Sequence, residues 1–318
     1  MFAATFPGQG SQSIGMLSDL SAAHVEVRRT FEEASQALGY DLWELVQEGP
    51  EQRLNSTEQT QPGMLAAGVA AWRCWTARGG PRPSVAAGHS LGEYSALVAF
   101  GSIAFVDAIR VVAARGRFMQ EAVPEGEGGI AAIIGLDDDT VVGLCDGVSR
   151  NAGFGHVSAV NFNAPGQVAV AGTSHAVAVA IREAREAGAK RAIRLPMSVP
   201  VHCPLMTPAT GRLEESLAGI RVEPPTVPIL HNVDIASRSS ESSIRDALAA
   251  QLASPVRWRH TVIAMRERGA TTMVEFGPGR VLTGLARRID RGIAACSVHD
   301  GKSLDAALRA VTSGVDGR

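Results

Sequence analysis

The chain has 318 residues, of which 45% are hydrophobic and 19% charged, enough to bury a sizeable core in one large domain or in one large and one small domain. The formal net charge of −2 gives no overall basic field, so we do not expect nucleic-acid binding. The four cysteines lack C-x-x-C spacing, which argues against a metal site or disulfide framework and favours a reducing cytoplasm. The apolar runs are too short for a signal peptide or a membrane span, so neither is expected.

The first part of the chain alternates short apolar runs with helical apolar spacing, which is typical of an α/β fold. In chain order the predicted elements are a strand at 2–6, helices at 20–38 and 42–48, a helix from 64 to about 78 with its start near Thr57 or Thr60, a strand, sharp turn and helix over 84–100, and a helix over 102–122. Glycine is enriched beside these runs and marks strand-to-helix turns or close approach of the backbone to a ligand.

Between residues 127 and 196 the pattern changes to β-α-β-β-α-β, the ferredoxin-like order. Its two middle strands, VSAVNFN and QVAVAG, are joined by the turn signal Ala164-Pro165-Gly166. We therefore predict a small α+β domain at 127–196, inserted into a main domain formed by 1–126 and 197–318.

After residue 197 the α/β pattern resumes, and we expect the main domain to be a parallel sheet flanked by helices. The predicted elements are a helix in CPLMTPATGRLEESLAGI, a strand in VPILHNV, a helix broken at Pro255, a strand in TTMVEFGP, a helix in GRVLTGLARRI and a last short strand in AACSV.

The stretch GHSLG, residues 88–92, has the Gly-x-Ser-x-Gly pattern of a nucleophile elbow between a strand and a helix. Small neighbours let the backbone turn tightly, so that Ser90 Oγ projects beside a helix N-terminus whose N–H groups can stabilise an oxyanion. The plain alternative is a glycine-rich turn with a serine cap, and the strand–helix context favours the nucleophile.

A serine nucleophile needs a base, and the chain contains eight histidines. His202 lies between Pro200 and Pro204, in a stiffened loop from which an imidazole could reach the elbow. A loop histidine without a catalytic role is the alternative. No carboxylate clearly completes a Ser-His-Asp triad, so a backbone carbonyl is expected to orient the base.

Two arginines, Arg115 and Arg117, lie at the end of an apolar helix in RGRFMQEA. An arginine that faces the interior could bind a ligand carboxylate, whereas an exposed one would only complement the helix dipole. The residues alone do not choose between the two. Likewise, PGQGSQ is either an anion loop or a plain turn, and EFGPGRVLTGL either approaches a ligand or packs tightly.

Taken together, these motifs occur in one order over nearly the whole chain: FPGQGSQ, GHSLGEYSALVA, RGRFMQEAVPEG, VNFNAPGQVAVAG, SVPVHCPLM, PVRW and EFGPGRVLTGL. The combination resembles the malonyl-CoA:acyl carrier protein transacylases of bacterial type II fatty-acid synthesis, and also the acyltransferase domains of polyketide synthases. The resemblance implies an α/β-hydrolase-like domain with a ferredoxin-like insertion.

The resemblance also implies roles for individual residues. Ser90 would be the acylated serine and His202 its base, with the N–H groups of Gln9 and Leu91 as the oxyanion hole. Three further positions have roles by the same resemblance. They are Arg115, which would bind the substrate carboxylate, Gln251, whose backbone carbonyl would orient the histidine, and His89, which would line the site. Asn161 matches an asparagine in a loop near the site.

The implied reaction is transfer of a malonyl group from malonyl-CoA, through Ser90, to the phosphopantetheine thiol of acyl carrier protein. No cofactor and no metal is expected. The expected partners are malonyl-CoA and acyl carrier protein, and the chain would be a cytoplasmic monomer without a membrane or nucleic-acid partner. The alternatives are a discrete acyltransferase that serves a polyketide synthase in trans, a serine hydrolase, and a non-catalytic protein that keeps the fold.

Overall fold

The strands lie in two separate sheets of the computed structural model, which describes residues 1–197 and 199–312. The strands are β1 Phe2–Phe6, β2 Val85–Gly88, β3 Gly128–Ile134, β4 Val157–Ala164, β5 Gln167–Thr173, β6 Arg191–Arg194, β7 Ile229–Leu230, β8 Thr272–Phe276 and β9 Ala294–Val298.

The helices precede, connect and follow these strands. They are α1 Ser18–Ala23, α2 Val25–Leu38, α3 Leu42–Glu48, α4 Glu51–Leu54, α5 Thr57–Ala77, α6 Gly92–Ala99, α7 Phe105–Ala122, α8 Asp138–Arg150, α9 Ser174–Glu186, α10 Thr207–Ala218, α11 Glu241–Gln251, α12 Trp258–Glu267, α13 Val281–Ile289 and α14 Gly301–Thr312. None of the described helices is both long and apolar enough to cross a membrane.

The first sheet is parallel and has the strand order β7-β2-β1-β8-β9. Its central strand β1 is buried along its whole length, as is typical of a parallel sheet with helices on both faces. The register pairs Phe6 of β1 with Gly88 of β2, so the chain segments that follow these two strands leave the sheet at the same edge. The predicted parallel α/β sheet is confirmed.

The second sheet is antiparallel, with the order β4-β5-β3-β6, and it is built from consecutive elements of the chain. Helices α8 and α9 pack on it around their own apolar cluster. The predicted β-α-β-β-α-β order and α+β class are therefore confirmed. The domain boundaries at 126/127 and 196/197 stay a prediction, and residues 313–318 of the predicted main domain lie outside the described residues.

Several predicted elements differ from those observed. The helix predicted over 20–38 is two helices, because His24 adopts an extended conformation (φ −134°) that ends α1 and begins α2. The strand predicted in VPILHNV is reduced to the two residues of β7, an edge strand that pairs with Ala86 and Ala87 of β2, with a further bridge from Leu230 to Ser237. Helices α4 and α14 were not predicted.

Candidate active site

The Gly-x-Ser-x-Gly stretch forms the turn between β2 and α6, at the edge where β1 also ends. Ser90 lies at its apex with φ of +51°, in the left-handed region that side chains other than glycine rarely adopt. A Cβ at Gly88 would lie 1.8 Å from the carbonyl carbon of Gly92, and a Cβ at Gly92 would lie 2.0 Å from the backbone oxygen of Phe6. Both glycines are thus required by the close approach of backbone to backbone.

The serine of this turn contacts a histidine from a distant part of the chain. Ser90 Oγ lies 2.8 Å from His202 Nε2, and His202 Nδ1 lies 2.9 Å from the backbone oxygen of Gln251. A carbonyl oxygen can only accept, so Nδ1 carries the proton and the neutral imidazole presents Nε2 as an acceptor to the serine hydroxyl. The loop that carries His202 is held in place by a second contact, because the His202 N–H donates to the backbone oxygen of Leu252 at 3.0 Å.

The environment keeps this imidazole neutral. His202 is 3% exposed, and burial lowers its pKa from 6.5 to about 3, with the positive charge of Arg115 as the second cause. At neutral pH the ring is therefore in the form that can accept a proton.

The loop after β1 lies against the elbow. A Cβ at Gly8 would lie 2.5 Å from the backbone oxygen of His89, so the two segments are in direct contact. Within residues 1–197 and 199–312, the backbone N–H groups of Gln9 and Leu91 donate no hydrogen bond to another residue. Two unpaired donors beside an elbow serine are what an oxyanion hole requires.

The two arginines of α7 differ sharply in position. Arg115 is 1% exposed, whereas Arg117 is on the solvent side of the helix. Helix α7 runs close to the start of α5, since a Cβ at Gly116 would lie 2.7 Å from the backbone oxygen of Thr57. The structure therefore places Arg115, and not Arg117, inside the protein.

The partners of Arg115 are neutral. Its Nη1 donates to Gln61 Oε1 at 2.8 Å, its Nη2 donates to Gln251 Oε1 at 3.0 Å, and its guanidinium lies 5.7 Å from the Tyr94 ring centre. Burial lowers the pKa of Arg115. No carboxylate of the described residues forms an ion pair with it. A buried cation that donates to two neutral amide oxygens is suited to receiving an anionic group.

Gln251 joins the arginine to the elbow. Its side-chain carbonyl accepts from Arg115, while its Nε2 donates to the backbone oxygen of Ser90 at 3.1 Å and to Glu93 Oε2 at 3.0 Å. Its backbone oxygen accepts from His202. One residue therefore touches the serine, the histidine and the arginine, a role that the resemblance assigned only to its backbone.

Sequence reasoning missed a buried polar group directly beneath the elbow. It consists of Glu93 on the first turn of α6 and of His231 and Asn232, which follow β7. The signal for it was weak, because a polar pair at the end of an apolar run is equally typical of a loop. Gln61, which binds Arg115, was also missed, because it lies in the polar stretch TEQTQ at the start of α5, where exposed side chains are common.

His89 and Asn161 are placed differently from Ser90 and His202. His89 Nε2 lies 2.9 Å from Asn163 Oδ1, and its ring centre lies 5.5 Å from that of Trp258. Asn161 was expected in a loop, and this expectation is wrong. It lies within β4, where it forms a bridge with Val256. The strand continues past it to Ala164, and Asn163, two residues further along, hydrogen-bonds to His89.

One group of possible metal ligands is found among the described residues, and it lies apart from these side chains. Ligand atoms of His24, Glu26 and Cys74 lie within 4.8 Å of one another. None of the three is hydrogen-bonded to Ser90, His202 or Arg115 in the described part of the chain.

An elbow serine bonded to a buried histidine is the arrangement of enzymes that form an acyl-serine, the class that includes hydrolases and acyltransferases. A family model described as acyl transferase domain matches residues 5–300, and the chain belongs to that family.

Similar proteins carry more specific names. The chain is 52% identical to malonyl CoA-acyl carrier protein transacylase of Salmonella typhimurium, over 96% of this chain and 98% of that protein. The solved structure of the Coxiella burnetii malonyl CoA-acyl carrier protein transacylase is 46% identical and superposes with a TM-score of 0.95 over 97% of this chain and 96% of that one. A malonyl transacylase solved in complex with a type II polyketide synthase acyl carrier protein is 53% identical, with a TM-score of 0.95 over 97% of this chain and 99% of that chain.

Proposed function

We propose that this chain transfers a malonyl group from malonyl-CoA to the phosphopantetheine thiol of acyl carrier protein, in fatty-acid biosynthesis, through a malonyl ester on Ser90. The observation that carries the proposal is the contact between Ser90 Oγ and His202 Nε2, linked through Gln251 to the buried Arg115. The names of relatives that align over nearly the full length of the chain support the same activity.

In the first half-reaction His202 Nε2 accepts the Ser90 Oγ proton as Oγ attacks the thioester carbonyl carbon. The negative charge that develops on the carbonyl oxygen is stabilised by the N–H groups of Gln9 and Leu91, each worth about 3 kcal/mol in sites of this kind. The carbon–sulfur bond then breaks, and CoA leaves as the thiol after taking the proton from His202.

The second half-reaction runs the same steps with a different thiol. The phosphopantetheine thiol gives its proton to His202 and attacks the ester carbon of malonyl-Ser90. The oxyanion forms on the same two N–H groups, and Ser90 leaves with the proton returned by His202. The single base serves both directions because Nδ1 stays bonded to the Gln251 carbonyl throughout.

Arg115 would select the carboxylated acyl group. Malonyl carries a carboxylate that can replace the neutral amide oxygens of Gln61 and Gln251 as the guanidinium partner. An acetyl group offers no such partner and would leave the buried guanidinium without a charged hydrogen-bond partner, which is costly.

A second candidate is supported by one of the comparisons, because one similar structure is a malonyl transacylase bound to a polyketide synthase carrier protein. The chemistry would be the same and only the carrier would differ. Measuring kcat/KM with a fatty-acid carrier protein and with a type II polyketide carrier protein decides between them, and a clear preference for the latter would favour this candidate.

The proposed transfer is tested by the fate of the malonyl group. Incubation with malonyl-CoA is expected to yield malonyl carrier protein only when the carrier thiol is present. Rapid release of malonate without a carrier would instead make the chain a hydrolase and overturn the proposal. Replacement of the carrier serine that bears phosphopantetheine provides the matched control.

The proposal includes a cytoplasmic monomer. All four cysteines, Cys74, Cys145, Cys203 and Cys296, are free thiols, as is usual in a reducing compartment. The exposed large apolar side chains lie on different elements, among them Val25 on α2, Val142 on α8 and Ile263 on α12. Light scattering on the purified protein tests the monomer, and a stable dimer would refute it.

A further inference from the structure

We infer that Asn232, held by the buried carboxylate of Glu93, is a positioning residue that fixes the conformation of the Ser90 elbow. The inference deepens the proposed function and rests on it, since it concerns the same serine. It starts from the strain of the elbow, where Ser90 has φ of +51° and must be kept there by its surroundings.

One side chain binds the peptide groups on both sides of the turn. Asn232 Oδ1 accepts from the Ser90 N–H at 2.8 Å, and Asn232 Nδ2 donates to the backbone oxygen of Gly88 at 2.7 Å. A backbone N–H can only donate and a carbonyl can only accept, so these contacts fix which way the amide points. The two bonds span the His89 peptide unit that carries the chain from β2 into the turn.

Glu93 in turn fixes Asn232. Its Oε2 accepts from the Asn232 N–H at 2.8 Å and also from Asn232 Nδ2. Its Oε1 accepts from His231 Nδ1 at 2.7 Å. The carboxylate is fully buried on the first turn of α6, and each of its contacts to His231 and Asn232 runs to a donor.

The same carboxylate reaches the other half of the site. Glu93 Oε2 accepts from Gln251 Nε2 at 3.0 Å, and Gln251 presents its backbone oxygen to His202 Nδ1. Glu93 is thus connected through Asn232 to the elbow that carries Ser90, and through Gln251 to His202. Loss of these bonds would let both halves relax relative to one another.

The test uses conservative changes at both residues. Glu93→Gln keeps the size of the side chain but replaces one acceptor oxygen with an NH₂ group, which would then face hydrogen-bond donors. Asn232→Asp keeps the acceptor for Ser90 N–H but removes the donor to the Gly88 oxygen. Each leaves buried groups unpaired, and we expect Ser90 acylation to slow by about 10- to 100-fold.

The matched control is Glu275→Gln. Glu275 is also buried, at 1% exposure, and accepts from the N–H groups of Leu282 and Thr283 and from Thr283 Oγ1. It belongs to a different strand–helix junction and bonds none of the site residues in the described chain. Its substitution is expected to shift the unfolding temperature and to leave the acylation rate of the folded protein unchanged.

Two readouts separate the inference from the proposed function. Single-turnover acylation is followed by intact mass at a series of malonyl-CoA concentrations. The series gives the maximal rate constant and, separately, the malonyl-CoA concentration at which the rate is half-maximal. Labelling of Ser90 by phenylmethylsulfonyl fluoride reports the serine without requiring malonyl recognition. We expect Glu93→Gln and Asn232→Asp to lower the rate constant and the labelling rate together, with the half-maximal concentration nearly unchanged.

If both variants keep wild-type rates, or lose them only in proportion to the folded fraction as Glu275→Gln does, the inference is wrong. The inference is also wrong if the malonyl-CoA concentration at half-maximal rate rises while the rate constant stays unchanged. If wild type is labelled by the sulfonyl fluoride but not by malonyl-CoA, the proposed function fails, while the labelling rates of the variants still decide the inference.

Discussion

Two strand–turn–helix junctions of the parallel sheet look alike in sequence but differ in their contacts. The first runs from β2 into α6 through GHSLG, and the second runs from β8 into α13 through GPGR. Each contains glycines that the turn requires and one buried glutamate, Glu93 in the first and Glu275 in the second.

The difference lies in where the partners of each glutamate come from. Glu275 binds Leu282 and Thr283, at most eight residues away, and so caps the helix that follows it. Glu93 binds His231, Asn232 and Gln251, which are 138 to 158 residues away. Contacts between residues close in the chain are enough to stabilise a strand–turn–helix junction. A junction that carries a nucleophile also needs residues distant in the chain, which supply a base and hold the backbone of the turn in place.

Removing the proposed nucleophile tests this comparison most severely. Ser90→Ala is expected to reduce malonyl transfer by about 10⁴-fold or more, because the attacking atom is lost. The control is Ser297→Ala on β9, which also removes a serine–histidine contact, 3.1 Å from Ser297 Oγ to His299 Nδ1, but beside the second junction. Steady-state transfer to carrier protein measures both, and equal losses would contradict the distinction between the junctions.

The glycines provide a second contrast. Gly92→Ala would place a methyl group 2.0 Å from the Phe6 backbone oxygen, so we expect it to cost about 3 kcal/mol or more of unfolding free energy. Gly284 lies in α13 with open space around it, and Gly284→Ala is expected to raise stability by about 0.5 to 1 kcal/mol. Urea denaturation measures both changes, and a tolerated Gly92→Ala would refute the tight elbow.

The first junction is also the one linked to a buried cation. Arg115→Ala is expected to lower the preference for malonyl-CoA over acetyl-CoA by about 10- to 100-fold, because the carboxylate loses its charged partner. Arg117→Ala, two residues along the same helix on its exposed side, should leave the preference unchanged. The ratio of kcat/KM for the two thioesters is the measurement, and an unchanged ratio in Arg115→Ala would remove that residue from substrate selection.

The second junction should respond to pH through stability alone. Burial raises the pKa of Glu275 above its ordinary 4.5, so above pH 4.5 the unfolded chain binds fewer protons than the folded chain. The Glu275 contribution to unfolding free energy therefore falls as pH rises from 4.5 toward the raised pKa, by at most about 1.4 kcal/mol per pH unit.

Glu275→Gln does not titrate and serves as the reference for that effect. Urea denaturation of wild type and variant on both sides of pH 4.5 should show the variant gaining relative stability as pH rises. A difference that does not vary with pH would show that the pKa of Glu275 is not raised.

Most of the fold follows from local patterns in the sequence. Apolar runs and glycine turns predicted β1, β2 and the β-α-β-β-α-β order of the second sheet, because each signal lies within one element. Local patterns fail where tertiary packing determines the end of a helix or strand. The break at His24 interrupts an otherwise continuous helical pattern, and β7 is short because its chain turns to bring His231 and Asn232 under the elbow.

The site was only partly accessible from sequence for the same reason. Ser90 stands in a local motif, but the residues alone left open whether His202 was a base and whether Arg115 or Arg117 faced inward. The resemblance selected between these alternatives. Asn161 was expected in a loop near the site, whereas it lies within β4, and its neighbour Asn163 is the residue bonded to His89.

Acylation of Ser90 is tested most directly by intact-mass analysis of the protein mixed with malonyl-CoA, followed by peptide mapping. We expect the mass of wild type to increase by one malonyl group, located on Ser90, and the mass of Ser90→Ala to stay unchanged. An adduct that persists in Ser90→Ala, or that maps to another residue, would contradict the proposal that this elbow serine carries the acyl group.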